Sequence, residues 1–280
     1  MDATARDALA ARFGNIACEA GALILRLRTP EIGVRRKPDG SPVCRADEEA
    51  EALILSRLAA LLPDVSVIAE ESFAQRRDAA VPERFLLVDP LDGTRDFLGG
   101  SPEFTVNIAL VEKSRPVAGV VYAPALGRLF GGRAGEGAFE IAAPCDGAKR
   151  VGAPRAIAVR ELPPSAPLSL ESRSHPDEAT RGLLAKLAPL ARREVASSLK
   201  FAVIAAGEGD LYVRGVPLNQ WDIAAGDAVL TAAGGAVLGL DGEPIAYGGA
   251  SLKAPPFVAI GAPALRPLVL RLSGKAGTRA

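Results

Sequence analysis

Carboxylates stand at the ends of three apolar segments in this chain. The run Val65–Ala69 leads into Glu70-Glu71. The run Phe85–Val88 leads into Asp89-Pro90-Leu91-Asp92-Gly93-Thr94, and Trp221-Asp222 opens an alanine-rich stretch. If the three ends meet, Glu70, Asp89, Asp92 and Asp222 form a cluster of four acids. Such a cluster needs cations to stay ionised, because like charges at close range raise one another's pKa. Ligation by oxygen alone points to Mg²⁺ or Mn²⁺ rather than zinc. Each fragment also has a plainer meaning on its own. Asp89-Pro90 and Asp92-Gly93 read equally as turns, and Thr94 as a turn or cap residue. Asp47 and Asp222 read as helix N-caps, and Glu70-Glu71 as exposed strand-end charges.

The elements that must position these acids are legible from periodicity. Apolar residues Leu9, Phe13, Ile16, Ala20, Leu23, Ile24 and Leu27 recur at three- and four-residue steps, which predicts a helix over Asp7 to Arg28. The basic run Arg35-Arg36-Lys37 then precedes a turn at Asp39-Gly40 and reads as a solvated face. A second helix starts near Asp47 and stops at Pro63, with acids in its first turn. Short β-like runs follow at Val65–Ala69, Phe85–Val88, Thr105–Val111 and Val117–Tyr122, with a hairpin around Arg133–Gly137. No long helix interrupts them, which is α+β grammar with a mainly antiparallel sheet.

Beyond about residue 150 helices and strands alternate. Strands are predicted at Leu168–Glu171, Leu211–Arg214, Ala236–Leu240 and Phe257–Ile260. Helices are predicted at Asp177–Leu187, around Ser198–Ala206, and from Asp222 to Ala233. That is an α/β half with helices on both faces of a sheet. The chain therefore divides into an α+β region, 1–150, carrying most of the acids, and an α/β region, 151–280, that completes the site.

Composition removes several classes. The 280 residues hold 33 Lys+Arg against 33 Asp+Glu, and this zero net charge lacks the basic surplus of a general nucleic-acid binder. One histidine, His175, excludes histidine-rich zinc sites. Three widely spaced cysteines, Cys18, Cys44 and Cys145, make no disulfide framework and suit a reducing compartment. Ile223 to Leu240 is low in charge, but Asp227 and Gly234-Gly235 make it a buried helix and strand rather than a membrane span. The mixed charges of the first fourteen residues are unlike a targeting signal. The tail beyond Ala262 is basic and reads as a helix with a frayed end.

The segments IAEE (68–71), VDPLDGT (88–94) and WDIAAGDAVLTAAGG (221–235), in this order and spacing, resemble the inositol monophosphatase superfamily of Mg²⁺-dependent, lithium-sensitive phosphatases. The resemblance runs from the first helix to about residue 260. Within the superfamily the 3′(2′),5′-bisphosphate nucleotidase branch is the nearer match. It is carried by GSPVCRAD (40–47), EFTVNIALVEKSRPVAGVVYAP (103–124), SRSH (172–175) and SSLKF (197–201).

The resemblance implies a layered αβαβα sandwich of the sugar phosphatase type. It implies two or three Mg²⁺ ions, with Mn²⁺ as a substitute, held by Glu70, Asp89, the Leu91 carbonyl, Asp92 and Asp222. Asp47 and Thr94 would activate the attacking water, with Glu70 as a third catalytic group. Gly93 and Thr94 would meet the reacting phosphate, and His175, Ser197 and Lys200 would hold the nucleotide and its second phosphate. Arg214 is a weaker candidate. The implied reaction is hydrolysis of adenosine 3′,5′-bisphosphate to AMP and phosphate in sulfate assimilation, with the phosphorylated sulfate donor as a second substrate. An inositol-1-phosphate or broad sugar phosphatase shares the metal site, and a non-catalytic nucleotide or Mg²⁺ binder is the alternative outside enzymes. The partner is a small bisphosphate nucleotide, not nucleic acid or an integral membrane, and relatives form homodimers. The expected location is the cytoplasm, with the basic tail offering peripheral contact with the inner membrane. One departure stands out: Cys44 occupies a position where the family usually has threonine. A thiol there predicts sensitivity to oxidation and thiol reagents.

Overall fold

A computed structural model describes residues 3–29, 31–73, 80–145, 152–162, 165–174, 177–187, 189–249 and 251–272. His175 lies outside the described residues. Two long helices lead the chain, α1 (Ala3–Leu27) and α2 (Arg45–Leu61), with a small hairpin, β1 (Val34–Arg36) and β2 (Pro42–Cys44), between them. A seven-stranded sheet follows: β3 (Ser66–Ala69), β4 (Arg84–Asp92), β5 (Thr105–Glu112), β6 (Arg115–Ala123), β7 (Arg128–Arg133), β8 (Gly137–Ala142) and β9 (Arg155–Ile157). Its strands pair in chain order, β3 parallel to β4 and the rest antiparallel. The short helix α3 (Thr94–Leu98) leaves the end of β4.

The remainder builds a five-stranded mixed sheet of β10 (Leu168–Glu171), β11 (Ala191–Glu194), β12 (Leu211–Arg214), β14 (Ala236–Gly239) and β16 (Phe257–Ile260), in the order β11-β10-β12-β16-β14. A two-stranded pair, β13 (Leu218–Asn219) and β15 (Lys253–Ala254), stands beside it. Its helices are α4 (Glu178–Leu187), α5 (Leu199–Ala205), α6 (Gln220–Ala232) and α7 (Arg266–Leu272).

Strand alternation sets the layers. Along β4, Leu86 and Val88 face α1 and α2, packing with Phe13, Ile24 and Ile54. Phe85 and Leu87 face the other way, into a core with Phe201, Ile223 and Val229 of α5 and α6. Tyr212 and Phe257 reach that same core from the five-stranded sheet, while Leu211 and Val258 point outward against α4 and α7. The order is helices, sheet, helices, sheet, helices: the αβαβα sandwich expected from the sequence. Burying each such Leu, Ile or Phe contributes roughly 1.5–3 kcal/mol, so the central layer, buried on both sides, anchors the whole.

That layer must sit close. A Cβ on Gly132 of β7 would lie 2.5 Å from the Cα of Val229 in α6. Only glycine there lets an alanine-rich helix press onto the sheet, which fixes the height of the α6 N-terminus over the end of β4.

Two sequence expectations change. β4 does not stop at Val88: it runs through Asp92, pairing Asp89 with Asn107 and Asp92 with Thr105 across an irregularity between them. Asp89-Pro90 is therefore strand, not a turn; Pro90 is tolerated because a bulge needs no ladder donor there. Strands β9 and β11 also escape the sequence reading. Both are short, and β11 (Ala-Arg-Arg-Glu) is exposed throughout, so neither has an apolar pattern to read.

Candidate active site

The ends of β3, β4 and α6 meet at one cavity of about 250 Å³. Glu70, Asp89, Leu91, Asp92, Gly93, Thr94, Ser197, Lys200 and Asp222 all line it. Asp47 sits behind this lining and reaches it through Thr94. Sequence-identified groups from residue 47 to residue 222 are thus brought to one place.

The acids affect one another strongly. Burial, then the charges of Glu70, Asp92 and Asp222, holds Asp89 well above the ordinary carboxylate range. Burial and the charges of Glu70 and Asp92 do the same to Asp222. Glu70 is raised by burial, although Lys37 works against the shift. Glu71 is pushed up to about 7, first by burial and then by Glu70. Protein donors take part of this charge: Leu91 N–H donates to Asp89 Oδ1 at 3.1 Å, Asn219 N–H to Asp222 Oδ2 at 2.8 Å, and Ser198 Oγ to Asp92 Oδ2 at 2.7 Å. Among the described residues no three of these acids are drawn together at metal-ligand spacing.

Lys37 corrects the reading of the basic run as a solvated face. Arg35 and Arg36 are exposed, but Lys37 Nζ lies 2.7 Å from Glu70 Oε1 and 2.8 Å from Glu71 Oε1. Burial alone would lower its pKa; Glu70 and Glu71 together outweigh that and hold the ammonium above its ordinary value. An ammonium is a compact point charge, and it rests among acids that need a cation.

Asp47 and Asp222 are not N-caps. Cys44 caps α2 and Asn219 caps α6, and each aspartate is the third helical residue, its carboxylate accepting the cap's N–H. Asp47 Oδ2 takes both the N–H and the thiol of Cys44 at 2.9 Å. Its Oδ1 takes the hydroxyl of Thr94 at 2.9 Å. Burial raises Asp47, and these bonds from Cys44 and Thr94 oppose the rise. Gly93, at φ +90°, supplies the left-handed turn from β4 into α3 that puts Thr94 there.

Lys200 and Arg214 line the same cavity with Ser172 and Ser197. Lys200 is buried; its Nζ donates to the carbonyls of Ser197 at 2.7 Å and Val195 at 3.1 Å and lies 4.9 Å from the Tyr212 ring centroid. Burial pulls its pKa down to about 8, with Asp92 acting against the fall. An ammonium has three donors, so one remains for a ligand. Arg214 pairs with Asp177 at 3.3 Å.

Sequence reasoning missed several supports. Buried Glu51 accepts the N–H groups of Glu71 and Ser72 at 2.7 and 2.8 Å and so fixes the turn that carries Glu70. Arg28 donates to the carbonyls of Phe97 and Ser101, its guanidinium stacked on Phe97 and Phe104, and braces α3. Asp96 accepts Ser174 Oγ at 2.7 Å and ties α3 to the segment after β10. Glu51 is the seventh residue of α2, beyond the first turn where Asp47 and Glu48 serve the helix dipole, and no sequence signal marks it as buried.

A family model described as the inositol monophosphatase family matches residues 5–273. A 3′(2′),5′-bisphosphate nucleotidase CysQ of Escherichia coli is 38% identical over 83% of this chain and 91% of its own length. The crystal structure of CysQ from Bacteroides thetaiotaomicron superposes with a TM-score of 0.77 at 30% identity, covering 91% of this chain and 97% of that one. An inositol monophosphatase from Anabaena superposes with a TM-score of 0.71 at 27% identity, covering 95% of each chain. Sequence, layer order and the meeting of the acids agree: the chain belongs to the inositol monophosphatase family.

Proposed function

We propose that the protein is a Mg²⁺-dependent 3′(2′),5′-bisphosphate nucleotidase that removes the 3′-phosphate of adenosine 3′,5′-bisphosphate to leave AMP. The supporting observation is the mixed charge of one cavity's lining. Glu70, Asp89, Asp92 and Asp222 line it, and so do Lys200 and Arg214 with Ser172 and Ser197. A substrate with one phosphate to be cleaved and a second to be held suits such a lining; an inositol monophosphate has no second phosphate for the basic residues. The names carried by the CysQ relatives favour the same reading.

The donor set fits divalent cations. All the candidate ligands are oxygens, neighbouring carboxylates add to the rise that burial gives Asp89 and Asp222, and a lysine ammonium already rests among them. Glu70, Asp89, the Leu91 carbonyl, Asp92 and Asp222 would hold Mg²⁺, with Mn²⁺ as substitute. When bound, such cations make water a stronger nucleophile at neutral pH and neutralise charge on the leaving oxygen.

The chain's own residues supply the rest. Thr94 donates its proton to Asp47, which frees the hydroxyl oxygen to accept one from the attacking water. Asp47 receives the relayed proton, and the N–H and thiol of Cys44 hold its other oxygen in place. No protein nucleophile is required, because phosphoryl transfer rests on positioning and electrostatics. The phosphorylated sulfate donor carries the same 3′-phosphate and would fit the same chemistry, and both substrates would tie the activity to sulfur assimilation. The test is phosphate release with Mg²⁺ from adenosine 3′,5′-bisphosphate and inositol-1-phosphate side by side, with and without lithium. Lithium-sensitive preference for the nucleotide is expected. Preference for the inositol ester overturns the nucleotide assignment, and no release from either overturns the enzyme.

A further inference from the structure

Ser198 is a helix-capping residue that does not cap. It stands at the N-cap of α5, where a serine side chain would ordinarily accept an N–H from its own helix, yet it makes no such bond. Its donors are turned to Asp92 instead. The backbone N–H and the hydroxyl both reach Asp92 Oδ2, the hydroxyl at 2.7 Å. The same hydroxyl lies within hydrogen-bond reach of the Asp222 carbonyl oxygen, and Asn107 Nδ2 donates to it from 3.0 Å. Asn107 is the residue paired with Asp89 across β4 and β5. One buried hydroxyl thus touches the strand end that carries Asp92, the helix start that carries Asp222, and the neighbour of Asp89.

The surrounding turn is built to hold it there. Ser197 has φ +52°, a left-handed conformation that costs a non-glycine residue of order 1 kcal/mol or more. Its carbonyl is held by Lys200 at 2.7 Å, the Val195 carbonyl by the same ammonium, and the Ala196 N–H by Glu103 Oε2 at 2.9 Å. These contacts fix the strained turn, and the turn aims the Ser198 N–H at Asp92.

We infer that Ser198 is a positioning residue for the cation site. Its N–H fixes Oδ2 of Asp92 and its hydroxyl bridges that oxygen and the Asp222 carbonyl, which orients the carboxylate and leaves Oδ1 for a cation. Because Ser198 comes from the second half of the sequence and Asp92 from the first, it also sets the registry between the two segments that supply the acids. The inference rests on the metal-dependent reading above. Ligands to hard cations depend on such outer contacts, and their loss typically costs about 10–100-fold in metal affinity.

The experiment is calorimetric titration of the full-length protein with Mg²⁺ alone, together with the melting temperature without metal and kcat at saturating Mg²⁺. Ser198→Ala should weaken Mg²⁺ binding about tenfold or more, with kcat at saturating Mg²⁺ near wild type, and Ser198→Thr, which keeps the hydroxyl, should restore affinity. Asn107→Ala, which removes only the donor behind the hydroxyl, should weaken binding to a smaller degree and serves if Ser198→Ala does not fold. Wild-type affinity in Ser198→Ala, or in Asn107→Ala where that variant stands in, overturns the inference alone. A tenfold loss of kcat that Mg²⁺ does not recover also overturns it. A wild-type protein that binds no Mg²⁺ brings down the metal-dependent reading, and this inference with it.

Discussion

Asp47 and Asp222 hold the same position in two different helices. Each is the third residue of its helix and accepts the N–H of the cap, Cys44 at 2.9 Å for one and Asn219 at 2.8 Å for the other. A helix start gathers unpaired N–H groups and partial positive charge. It is therefore one of the few places where a buried carboxylate can be held without a full counter-charge. The two aspartates differ in what their second oxygen meets. For Asp47 it is the hydroxyl of Thr94. Asp222 instead faces the charges of Glu70 and Asp92. The same local device thus supports a candidate proton acceptor in one helix and a candidate metal ligand in the other.

Asp47→Asn keeps the shape and an oxygen for Thr94 but cannot take a proton. We expect kcat to fall about 10²–10⁴-fold, the usual worth of a general base, with Mg²⁺ affinity within a few-fold of wild type. Steady-state kinetics beside a Mg²⁺ titration checks this. A matching collapse of Mg²⁺ affinity would move Asp47 among the ligands.

The raised carboxylates fix how metal-free stability depends on pH. A carboxyl whose folded pKa lies above its unfolded value binds more protons when folded, so its favourable contribution is present at low pH and lost as pH rises through the folded value. Glu71 moves from 4.5 to about 7, and Glu70, Asp89 and Asp222 move in the same direction. The melting temperature of the metal-free protein should therefore decline between about pH 5 and pH 8, and the stabilisation gained on adding Mg²⁺ should grow over the same interval. Melting curves with EDTA and with excess Mg²⁺ across that range decide it. A metal-free protein that gains stability toward pH 8 contradicts the account of the cluster.

Asp89 offers a sharper form of that test. It is the most enclosed of the four acids and is raised by the other three. Removing a repelled buried charge relieves the folded state, so Asp89→Asn should abolish turnover while raising the metal-free melting temperature at pH 8 by a few degrees, roughly 2–4 °C per kcal/mol. Loss of both activity and stability would mean that Asp89 is a structural acid.

The acids were legible because chemistry left them in improbable places, at the ends of apolar runs. Their mutual support was not. Glu51, Arg28 and Ser198 act on backbone groups or on one carboxylate oxygen, and nothing in sequence spacing says which N–H a buried side chain will meet. The layer order was legible only through the family resemblance carried by VDPLDGT and the Trp221-Asp222 segment; periodicity alone reached no further than an α+β half followed by an α/β half. The extension of β4 through Pro90 was not legible, because a proline in a strand reads as its end until a bulge is seen. Lys37 was lost in a run of three basic residues whose other two are solvated.

The thiol of Cys44 is in an unreactive place. It is fully buried, and burial followed by the Asp47 carboxylate pushes its pKa up to about 12. That reverses the expectation of easy oxidation, since the thiolate is the reactive form. Thiol reagents at neutral pH should label Cys18 and Cys145, both partly exposed, long before Cys44, as mass spectrometry of the labelled protein would show. Cys44→Thr should retain activity, and Cys44→Ala should lower stability by about 0.5–2 kcal/mol, as cap losses do. Early labelling of Cys44 in the folded protein would sink this reading.

Lys200 carries two roles that experiment can separate. Its bonds to the carbonyls of Val195 and Ser197 hold the turn before Ser198, and the residue also lines the cavity. Arg214 also lines the cavity and pairs with Asp177 at 3.3 Å. If these cations hold a second phosphate, Arg214→Met should raise KM for adenosine 3′,5′-bisphosphate about tenfold, the worth of one charge-assisted hydrogen bond. It should leave a monophosphate such as p-nitrophenyl phosphate little changed. Lys200→Met should add to that selective loss a general one, seen with both substrates and accompanied by weaker Mg²⁺ binding, because the turn that aims Ser198 at Asp92 loses its anchor. Equal losses on both substrates in Arg214→Met would contradict a second-phosphate site, and a purely selective loss in Lys200→Met would show that the turn holds without its ammonium.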